Sequence, residues 1–212
     1  MGRKTGVTPA QTRAELVEAA ARVFGLKGYD GASIADITDE AGLSLGSVYT
    51  HFQSKAELFV AVVREYGRQD YLDLIGLELT ADVADIADVS TLVGDVIEFL
   101  TLVGTSFASR PPADAPILVE AIMASKRDPE VSDLITTWIL EVEGLIASAI
   151  ASDQESGSVD SGVDAAALAR FTTFVDLGAR LAGVMDLPAV NEDGWSALIN
   201  HLIASIRNPP PA

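Results

Sequence analysis

Cysteine is absent from this chain of 212 residues, which excludes disulfides, thiolate metal sites and cysteine nucleophiles. Histidine is scarce: His51 and His201 are the only two, and no cluster of His, Asp and Glu has the spacing of a metal site. A phosphate-binding loop of the G-x-x-x-x-G-K type is also missing. Because no paired acid and base is visible, we expect a protein that is not an enzyme and that has no cofactor or metal.

Export and membrane signals are absent too. No apolar run approaches the ~18 residues that span a bilayer. Arg3 and Lys4 are basic, but no apolar segment follows them as in a secretion signal, and Gly6 stands where a myristoylation motif has Ser or Thr. The expectation is a soluble, cytoplasmic protein.

Basic residues are few and unevenly placed. The chain has 14 Lys and Arg against 31 Asp and Glu, a net charge of −17. Residues 1–68 contain eight of the basic and eight of the acidic residues, so the whole negative excess lies in residues 69–212. Binding to nucleic acid depends on local neutralisation of phosphates, and a neutral N-terminal segment remains compatible with it.

The sequence does contain clear helix signals, with no strand pattern and no internal repeat, so we predict an all-α fold. Thr8-Pro9-Ala10-Gln11 combines a capping box with a proline in the first turn, and Gly28 is placed to end that helix. Ser33 and Ser44 are predicted N-caps of two short helices separated by a left-handed turn at Gly42, the second over residues 45–51. Another capping box, over residues 54–57, opens a helix predicted to reach residue 77.

Beyond residue 78 the signals are weaker. We predict helices over residues 90–109, 116–127, 128–152, 164–185 and 192–206. Ser90 is the expected cap of the first of these, and Arg110-Pro111-Pro112 ends it. Residues 153–162 (DQESGSVDSG) are predicted to be a polar loop.

The most informative stretch is residues 33–59, SIADITDEAGLSLGSVYTHFQSKAELF. Two short helices joined by a glycine turn are the layout of a helix-turn-helix, whose second helix lies in the DNA major groove. The core of this motif is predicted to contain Phe24, Ile37, Val48, Phe52 and Leu58. Residues 42–46 also match the G-x-S-x-G motif of hydrolases, but that motif needs a strand before the serine, and a capped helix is predicted there.

These residues resemble the DNA-binding domain of the tetracycline-repressor (TetR) family of bacterial transcriptional regulators. The resemblance covers residues 10–60 and is carried by Ala19-Ala20, Phe24, Gly28-Tyr29, Ser33, Ile37, Ala41-Gly42, Gly46, Tyr49, Phe52, Lys55 and Leu58. It implies a helix-turn-helix DNA-binding domain over residues 1–54. It also implies a helical ligand-binding and dimerisation domain over residues 55–212, with the helix over 55–77 connecting the two.

The predicted DNA contacts lie on and around the second helix of the motif. Tyr49 is either a half-buried core residue or a phosphate contact, His51 either faces DNA or packs on the connecting helix, and Lys55 adds a charge beside a helix N-terminus that favours phosphate. Hydrogen-bonding groups on the exposed helix face complete the prediction. The full set is Ser33, Ser44, Leu45, Gly46, Ser47, Tyr49, Thr50, His51 and Lys55.

Two positions depart from the family pattern. Leu45 opens the second helix where relatives often carry a polar base-contacting residue, and Ala35 stands where many have arginine. Specificity would then depend on contacts of Leu45 with thymine methyl groups or on DNA shape. Arg3 and Lys4 either reach a minor groove or belong to a disordered terminus.

Residues 70–212 have broad apolar helix faces and no motif of their own. The resemblance implies that the last two helices form a homodimer interface, for which we predict Phe171, Val175, Gly178, Ala182, Trp195, Leu198 and Leu202. It also implies a pocket for a small, mostly apolar molecule, for which we predict Phe99, Thr101, Thr105, Phe107, Met123, Trp138 and Phe174. For both sets, ordinary packing within one chain is the alternative.

The sequence therefore predicts a DNA-binding transcriptional regulator, a repressor that binds a near-palindromic double-stranded operator as a homodimer and is released by a small-molecule inducer. The alternative is a small-molecule-binding or adaptor protein whose helix-turn-helix no longer recognises specific DNA.

Overall fold

Nine α-helices form the regular structure in the part of the chain that the computed structural model describes, residues 8–74, 96–106 and 115–208. The same residues contain one isolated antiparallel bridge, between Val159 and Arg207, and the prediction of an all-α fold is confirmed. The helices are α1 (Pro9–Gly31), α2 (Ile34–Ala41), α3 (Leu45–His51), α4 (Lys55–Leu74), α5 (Val96–Ser106), α6 (Ala115–Ala124), α7 (Pro129–Ser156), α8 (Ala165–Val184) and α9 (Glu192–Ile206).

The first three helices begin where local hydrogen-bonding rules place them. The Thr8 hydroxyl accepts a hydrogen bond from the Gln11 N–H at 3.2 Å, and the Gln11 side chain accepts one from the Thr8 N–H at 2.8 Å. Ser33 and Ser44 cap α2 and α3, and Gly42 between these helices has φ 64° and ψ 28°. The predicted caps, the left-handed turn and both ends of α3 are confirmed.

Gly28 interrupts α1 without ending it. Its φ of 67° and ψ of 175° are non-helical, yet the next three residues complete another turn before Ala32. The positive φ favours glycine at this position, and a Cβ there would lie 3.2 Å from the Glu120 carboxylate, which would have to shift slightly. The predicted stop at Gly28 is therefore a kink.

Helix ends differ from the prediction in the second half of the chain. α7 continues to Ser156, so the loop predicted over residues 153–162 is wrong in its first part. Asp153 and Gln154 are held in the helix because the Asp153 carboxylate accepts from the Val96 N–H at 3.1 Å and the Gln154 amide donates to the Val163 carbonyl at 2.7 Å. Gly157, with φ 83°, ends the helix instead.

Other boundaries agree closely where they are described. α8 lies one residue inside each of its predicted bounds and is capped by Asp164, whose carboxylate accepts from the Ala167 N–H, and α9 has the predicted bounds. α6 ends at Ala124, three residues short of the prediction, because residues 125–127 form turns. Ser90 and residues 75–77 and 107–109 lie outside the described residues.

The described helices form two units, and the first contains residues up to Gly67 together with Ile117–Thr136. Its centre is aromatic: the rings of Phe24 and Phe59 meet edge to face with centroids 4.8 Å apart, and Tyr29 lies 4.8 Å from Phe59. The five predicted core residues of the helix-turn-helix are all buried. The packed core of this unit therefore holds α2 and α3 in place.

The second unit contains Arg68–Pro116 and Thr137–Ala212. Its core cluster consists of Val96, Ile97, Leu100, Ile150, Val159 and Ala169. α5 and α9 approach closely because Gly104 has no side chain: a Cβ there would lie 2.9 Å from Ile199, and the Trp195 indole N–H donates to the Gly104 carbonyl at 2.8 Å.

One described helix, α7, is long and apolar enough by length and composition to cross a membrane. Glu141 and Glu143 interrupt the apolar sequence of α7, so it contains no unbroken apolar run. A single helix of this kind is weak evidence for a membrane span. Val131, Ile135 and Ile150 of α7 are buried within the protein.

Candidate nucleic-acid interface

α2, the turn at Gly42 and the seven-residue α3 form a helix-turn-helix. The inner side of α3 packs into the core: Val48 is fully buried, and Phe52, the residue that follows the helix, is 1% exposed. The Phe52 N–H donates to the Val48 carbonyl at 2.9 Å and closes the last turn. Because one side of α3 packs in the core, its opposite side is accessible for contact with another molecule.

The outer face of α3 presents Leu45, Gly46, Tyr49 and Thr50. Leu45 is 53% exposed and Tyr49 is 55% exposed, so these side chains, four positions apart, form one apolar strip with a hydroxyl at its end. This exposure agrees with a half-buried Tyr49 ring and leaves its hydroxyl accessible for a phosphate contact, so both interpretations stay open. His51 at the end of the helix is partly buried.

Gly46 has no intramolecular reason to be glycine. Its backbone is helical, and an added Cβ would meet only the Ser44 hydroxyl, at an ordinary 3.8 Å. Glycine in a helix costs about 1 kcal/mol relative to alanine. Such a cost at an exposed position between Leu45 and Tyr49 fits a site where another molecule approaches the backbone closely.

The predicted hydroxyl groups already make local hydrogen bonds. Ser33 and Ser44 act as caps, Ser47 shares a hydrogen bond with the Ser44 hydroxyl at 3.0 Å, and Thr50 donates to the Gly46 carbonyl at 2.8 Å. Their oxygens remain able to accept further bonds. Ser44 follows a helix, so the strand before the serine that the hydrolase motif needs is not present here.

Lys55 is placed differently from the expectation of a phosphate-facing charge. Its ammonium donates to the carbonyls of Tyr29 at 2.9 Å and Ala32 at 3.2 Å, and it lies 4.2 Å from the centroid of the Tyr29 ring. These carbonyls are at the C-terminal end of α1, where carbonyl groups lack helical partners and favour a cation. Two of the three ammonium hydrogens are therefore used within the protein.

Two of the three carboxylates of α2, those of Asp36 and Glu40, are paired with cations of α1. Glu40 accepts from the Arg22 guanidinium at 2.6 Å, and Asp36 accepts from the Lys27 ammonium at 2.6 Å. Hydrogen bonds from Lys27 and from Ser33 lower the pKa of Asp36 to about 2. These pairs reduce the repulsion that α2 would exert on a polyanion.

A polar network that the sequence analysis missed joins the kink of α1 to α6 and the start of α7 within the first unit. The Tyr29 N–H donates to Glu120 at 2.8 Å, and the Tyr29 hydroxyl donates to Asp128 at 2.6 Å. Arg127 pairs with Asp30 at 2.7 Å. Burial first, and then the Asp128 carboxylate, raise the pKa of Tyr29, whereas the hydrogen bond from Tyr29 lowers that of Asp128.

The seven residues predicted to line a ligand pocket have varied surroundings. Phe107 lies outside the described residues. Thr101 and Thr105 donate to carbonyls of their own helix, Met123 belongs to the first unit, and Phe174 is exposed. Phe99 packs against the core cluster of the second unit, and Trp138 is partly buried.

The residues predicted for a dimer interface are largely uncovered within this chain. Phe171, Leu198 and Leu202 are exposed, and a Cβ at Gly178 would meet nothing within 4 Å. Val175 and Ala182 are partly buried. Trp195 differs, because its indole is hydrogen-bonded to Gly104 and serves packing within the chain.

Comparisons with known proteins agree with this geometry. Residues 16–62 match the family model described as bacterial regulatory proteins, tetR family. The transcriptional repressor AcnR of Corynebacterium efficiens is 38% identical over 65 residues, which are 31% of this chain and 35% of that protein. The transcriptional repressor BdcR of Escherichia coli K12 is 29% identical over 151 residues, 71% of this chain and 69% of that protein. The match with AcnR thus spans about a third of that relative's length.

Solved structures share the fold over a longer span. A TetR-family transcriptional regulator from Rhodococcus sp. superimposes with a TM-score of 0.71 at 16% identity, covering 94% of this chain and 100% of that one. A transcriptional regulator from Saccharomonospora viridis, solved in complex with choline, gives a TM-score of 0.62 at 21% identity, covering 94% and 100%. At these identities the likeness establishes the fold alone.

Proposed function

We propose that the chain is a transcriptional repressor of the tetR family of bacterial regulatory proteins, whose family model its residues 16–62 match, and that it binds double-stranded DNA with α3. The observation that carries the proposal is the division of α3 into two faces. Val48 is buried, whereas Leu45, Gly46 and Tyr49 are exposed. The major groove is wide enough to admit a helix that presents these residues.

Recognition on this face combines apolar and polar contacts. Leu45 is suited to thymine methyl groups, and Gly46 allows the helix backbone to approach the base edges. The Tyr49 hydroxyl donates to a backbone phosphate. Ser47 and Thr50 accept or donate at base edges or phosphates, and His51 lies beside them at the end of α3 as a further DNA contact. Ser33 and Ser44, at the N-termini of α2 and α3, contribute hydroxyl groups that can bond a backbone phosphate.

The protein acts as a homodimer in this proposal. Phe171, Leu198 and Leu202 leave apolar surface on α8 and α9, and the open space at Gly178 permits a neighbouring helix to approach closely. A two-fold dimer presents two copies of α3 to one duplex and therefore selects a near-palindromic operator, with half-sites about one helical turn or more apart.

A small, mostly apolar inducer releases the operator. The proposed binding residues are those of the predicted set that the structure describes in the second unit, Phe99, Thr101, Thr105, Trp138 and Phe174, and a neighbour of the same fold that holds choline illustrates that such a fold accommodates a small organic molecule. The inducer shifts the protein from DNA only if it binds the DNA-incompetent state more tightly, and DNA then weakens inducer binding by the same factor. The site of action is chromosomal DNA in the cytoplasm.

Selection of random-sequence duplexes by the purified protein tests the proposal. The expected result is enrichment of a near-palindrome whose binding weakens steeply with salt. A folded protein that binds all duplexes equally, with no enriched site, contradicts it. That second result favours the alternative, an adaptor or small-molecule-binding protein whose helix-turn-helix has lost specific recognition, which the apolar Leu45 and Ala35 positions motivate.

A further inference from the structure

Arg13 lies beside the recognition helix, and neither the sequence motif nor the proposed function gives it a role. It is an exposed residue of α1, and its guanidinium carbon is 5.0 Å from the centroid of the Phe52 ring. Phe52 directly follows α3 and is tied to Val48 by its backbone N–H. The guanidinium is therefore held at the C-terminal end of α3.

Five other cations that the structure describes in or near the helix-turn-helix already have partners. Arg22 and Lys27 pair with the carboxylates of α2, and the Lys55 ammonium donates to backbone carbonyls. Arg64 and Arg68 of α4 have partners as well. Among the residues that the structure describes, Arg13 has the Phe52 ring as its contact and neither a hydrogen bond nor an ion pair.

The position over the Phe52 ring leaves Arg13 well suited to bind a phosphate. The contact with the ring uses no hydrogen-bond acceptor, so the five N–H groups of the guanidinium remain available to an anion. The ring also restricts the side chain before binding, so less rotamer entropy is lost when a ligand is bound. A cation beside a helix seated in the major groove faces one of the two phosphate strands, because the groove is about 12 Å wide and a helix with side chains nearly fills it.

We propose that Arg13, held over the Phe52 ring, binds a DNA backbone phosphate next to the C-terminal end of α3 and fixes the position of α3 in the groove. The inference rests on the proposed DNA-binding function. It also explains how residues 1–68, with equal numbers of acidic and basic residues, keep one cation beside α3 that is available to a phosphate.

Two variants of Arg13 separate phosphate binding from packing. Arg13→Met keeps an apolar cover on Phe52 but removes the charge and all donors, and Arg13→Lys keeps the charge without the planar fork. The matched control is Arg22→Met, which removes the same charge from α1 about half a turn round the helix, where Arg22 pairs with Glu40. The probes are a duplex selected by the parent protein from a random library and an unselected duplex of equal length.

The expected result is that Arg13→Met raises the Kd about tenfold per protomer on both duplexes and reduces the slope of log K against log salt by about 0.9 per protomer, with an unchanged melting temperature. Arg13→Lys retains the parent slope with an intermediate Kd. Equal Kd values and slopes for Arg13→Met and Arg22→Met overturn the inference while the proposed function stands. A parent protein that selects no duplex overturns both.

Discussion

The phenolic hydroxyl of Tyr29 donates to the Asp128 carboxylate at 2.6 Å, joining the kink of α1 to the residue before α7, 99 positions along the chain. The Tyr29 backbone N–H meets Glu120 in the same region. The unit that carries the helix-turn-helix is therefore completed by residues Ile117–Thr136. This arrangement makes α6 and the start of α7 part of the support for the proposed recognition helix.

Tyr29→Phe is expected to lower the free energy of unfolding by about 1–2 kcal/mol, because it leaves Asp128 without the phenol as a donor. In the folded protein the pKa of Tyr29 is raised above its usual 10.0, so the neutral phenol contributes stability below pH 10 that is lost as the pH rises further. Denaturant titrations from pH 8 to 11 measure both effects, and the variant is expected to show the shallower loss.

The matched substitution Tyr49→Phe serves as the control in the same unit. Tyr49 is exposed on α3, so its hydroxyl removal is expected to leave the unfolding free energy unchanged within about 0.5 kcal/mol and to weaken DNA binding. An equal loss of stability in the two variants would show that the Tyr29–Asp128 contact contributes nothing specific.

Lys55→Met is expected to destabilise the fold by about 1–2 kcal/mol, because the carbonyls of Tyr29 and Ala32 lose their charged donor at the end of α1. Thermal unfolding measures this, and Lys126→Met, at an exposed lysine of the same unit, is the control. If Lys55→Met keeps the parent melting temperature but loses DNA affinity, Lys55 acts at a phosphate and its capping role is minor.

Gly46→Ala is expected to act in opposite directions on stability and on binding. It should raise the unfolding free energy by about 0.4–1 kcal/mol, because the added Cβ meets only ordinary contact in a helix, and it should weaken DNA binding by blocking close approach.

Gly25→Ala is the matched control for this substitution, since Gly25 is an exposed helical glycine of α1 with open space at its Cβ. It is expected to stabilise the protein equally and to leave DNA affinity unchanged. Unaltered DNA affinity in both variants would remove the reason given for glycine at position 46.

Leu198→Glu is expected to convert the dimer to monomers, because it places a charge on the exposed apolar face of α9. Sedimentation velocity at micromolar concentration measures the change. The control is Leu26→Glu, at an exposed leucine of α1, which should leave the oligomeric state unchanged. A monomeric parent protein, or a Leu198→Glu variant that remains dimeric, contradicts the assigned interface.

Acid should weaken α2 through Asp36. Its pKa is lowered from 3.8 to about 2, so the ionised carboxylate supports the fold above pH 4, and that support disappears as the pH falls to about 2. The free energy of unfolding, measured from pH 4 to about pH 2, should fall less steeply for Asp36→Asn than for the parent protein. Asp39→Asn on the same helix controls for the removal of a charge, and identical slopes in all three proteins would contradict the assignment.

Features governed by neighbouring residues could be predicted from the sequence. Ser33, Gly42 and Ser44 specify their caps and turn through hydrogen bonds to residues three or four positions away, and α3 has its predicted ends for that reason. Gly157 carries the same kind of signal for the end of α7, but the polar residues around it favoured a longer loop.

Contacts between distant residues could not be predicted in this way. Lys55 is near α1 only because the chain folds back on itself, so its donation to Tyr29 has no sequence signal. The same holds for Trp195, whose indole meets the Gly104 carbonyl 91 positions earlier and so serves packing within the chain, although its helix position suggested a partner. Periodicity identifies an apolar face without identifying what covers it.

The most direct test of α3 as the DNA-reading element is to compare the duplexes selected by the parent protein with those selected by Leu45→Gln and by Leu26→Gln. Leu45→Gln is expected to select a motif changed at one position in each half-site, away from thymine and towards adenine, which pairs with glutamine in the major groove. Leu26→Gln is expected to select the parent motif. If all three proteins select the same motif, Leu45 does not contact the bases and the placement of α3 in the groove is wrong.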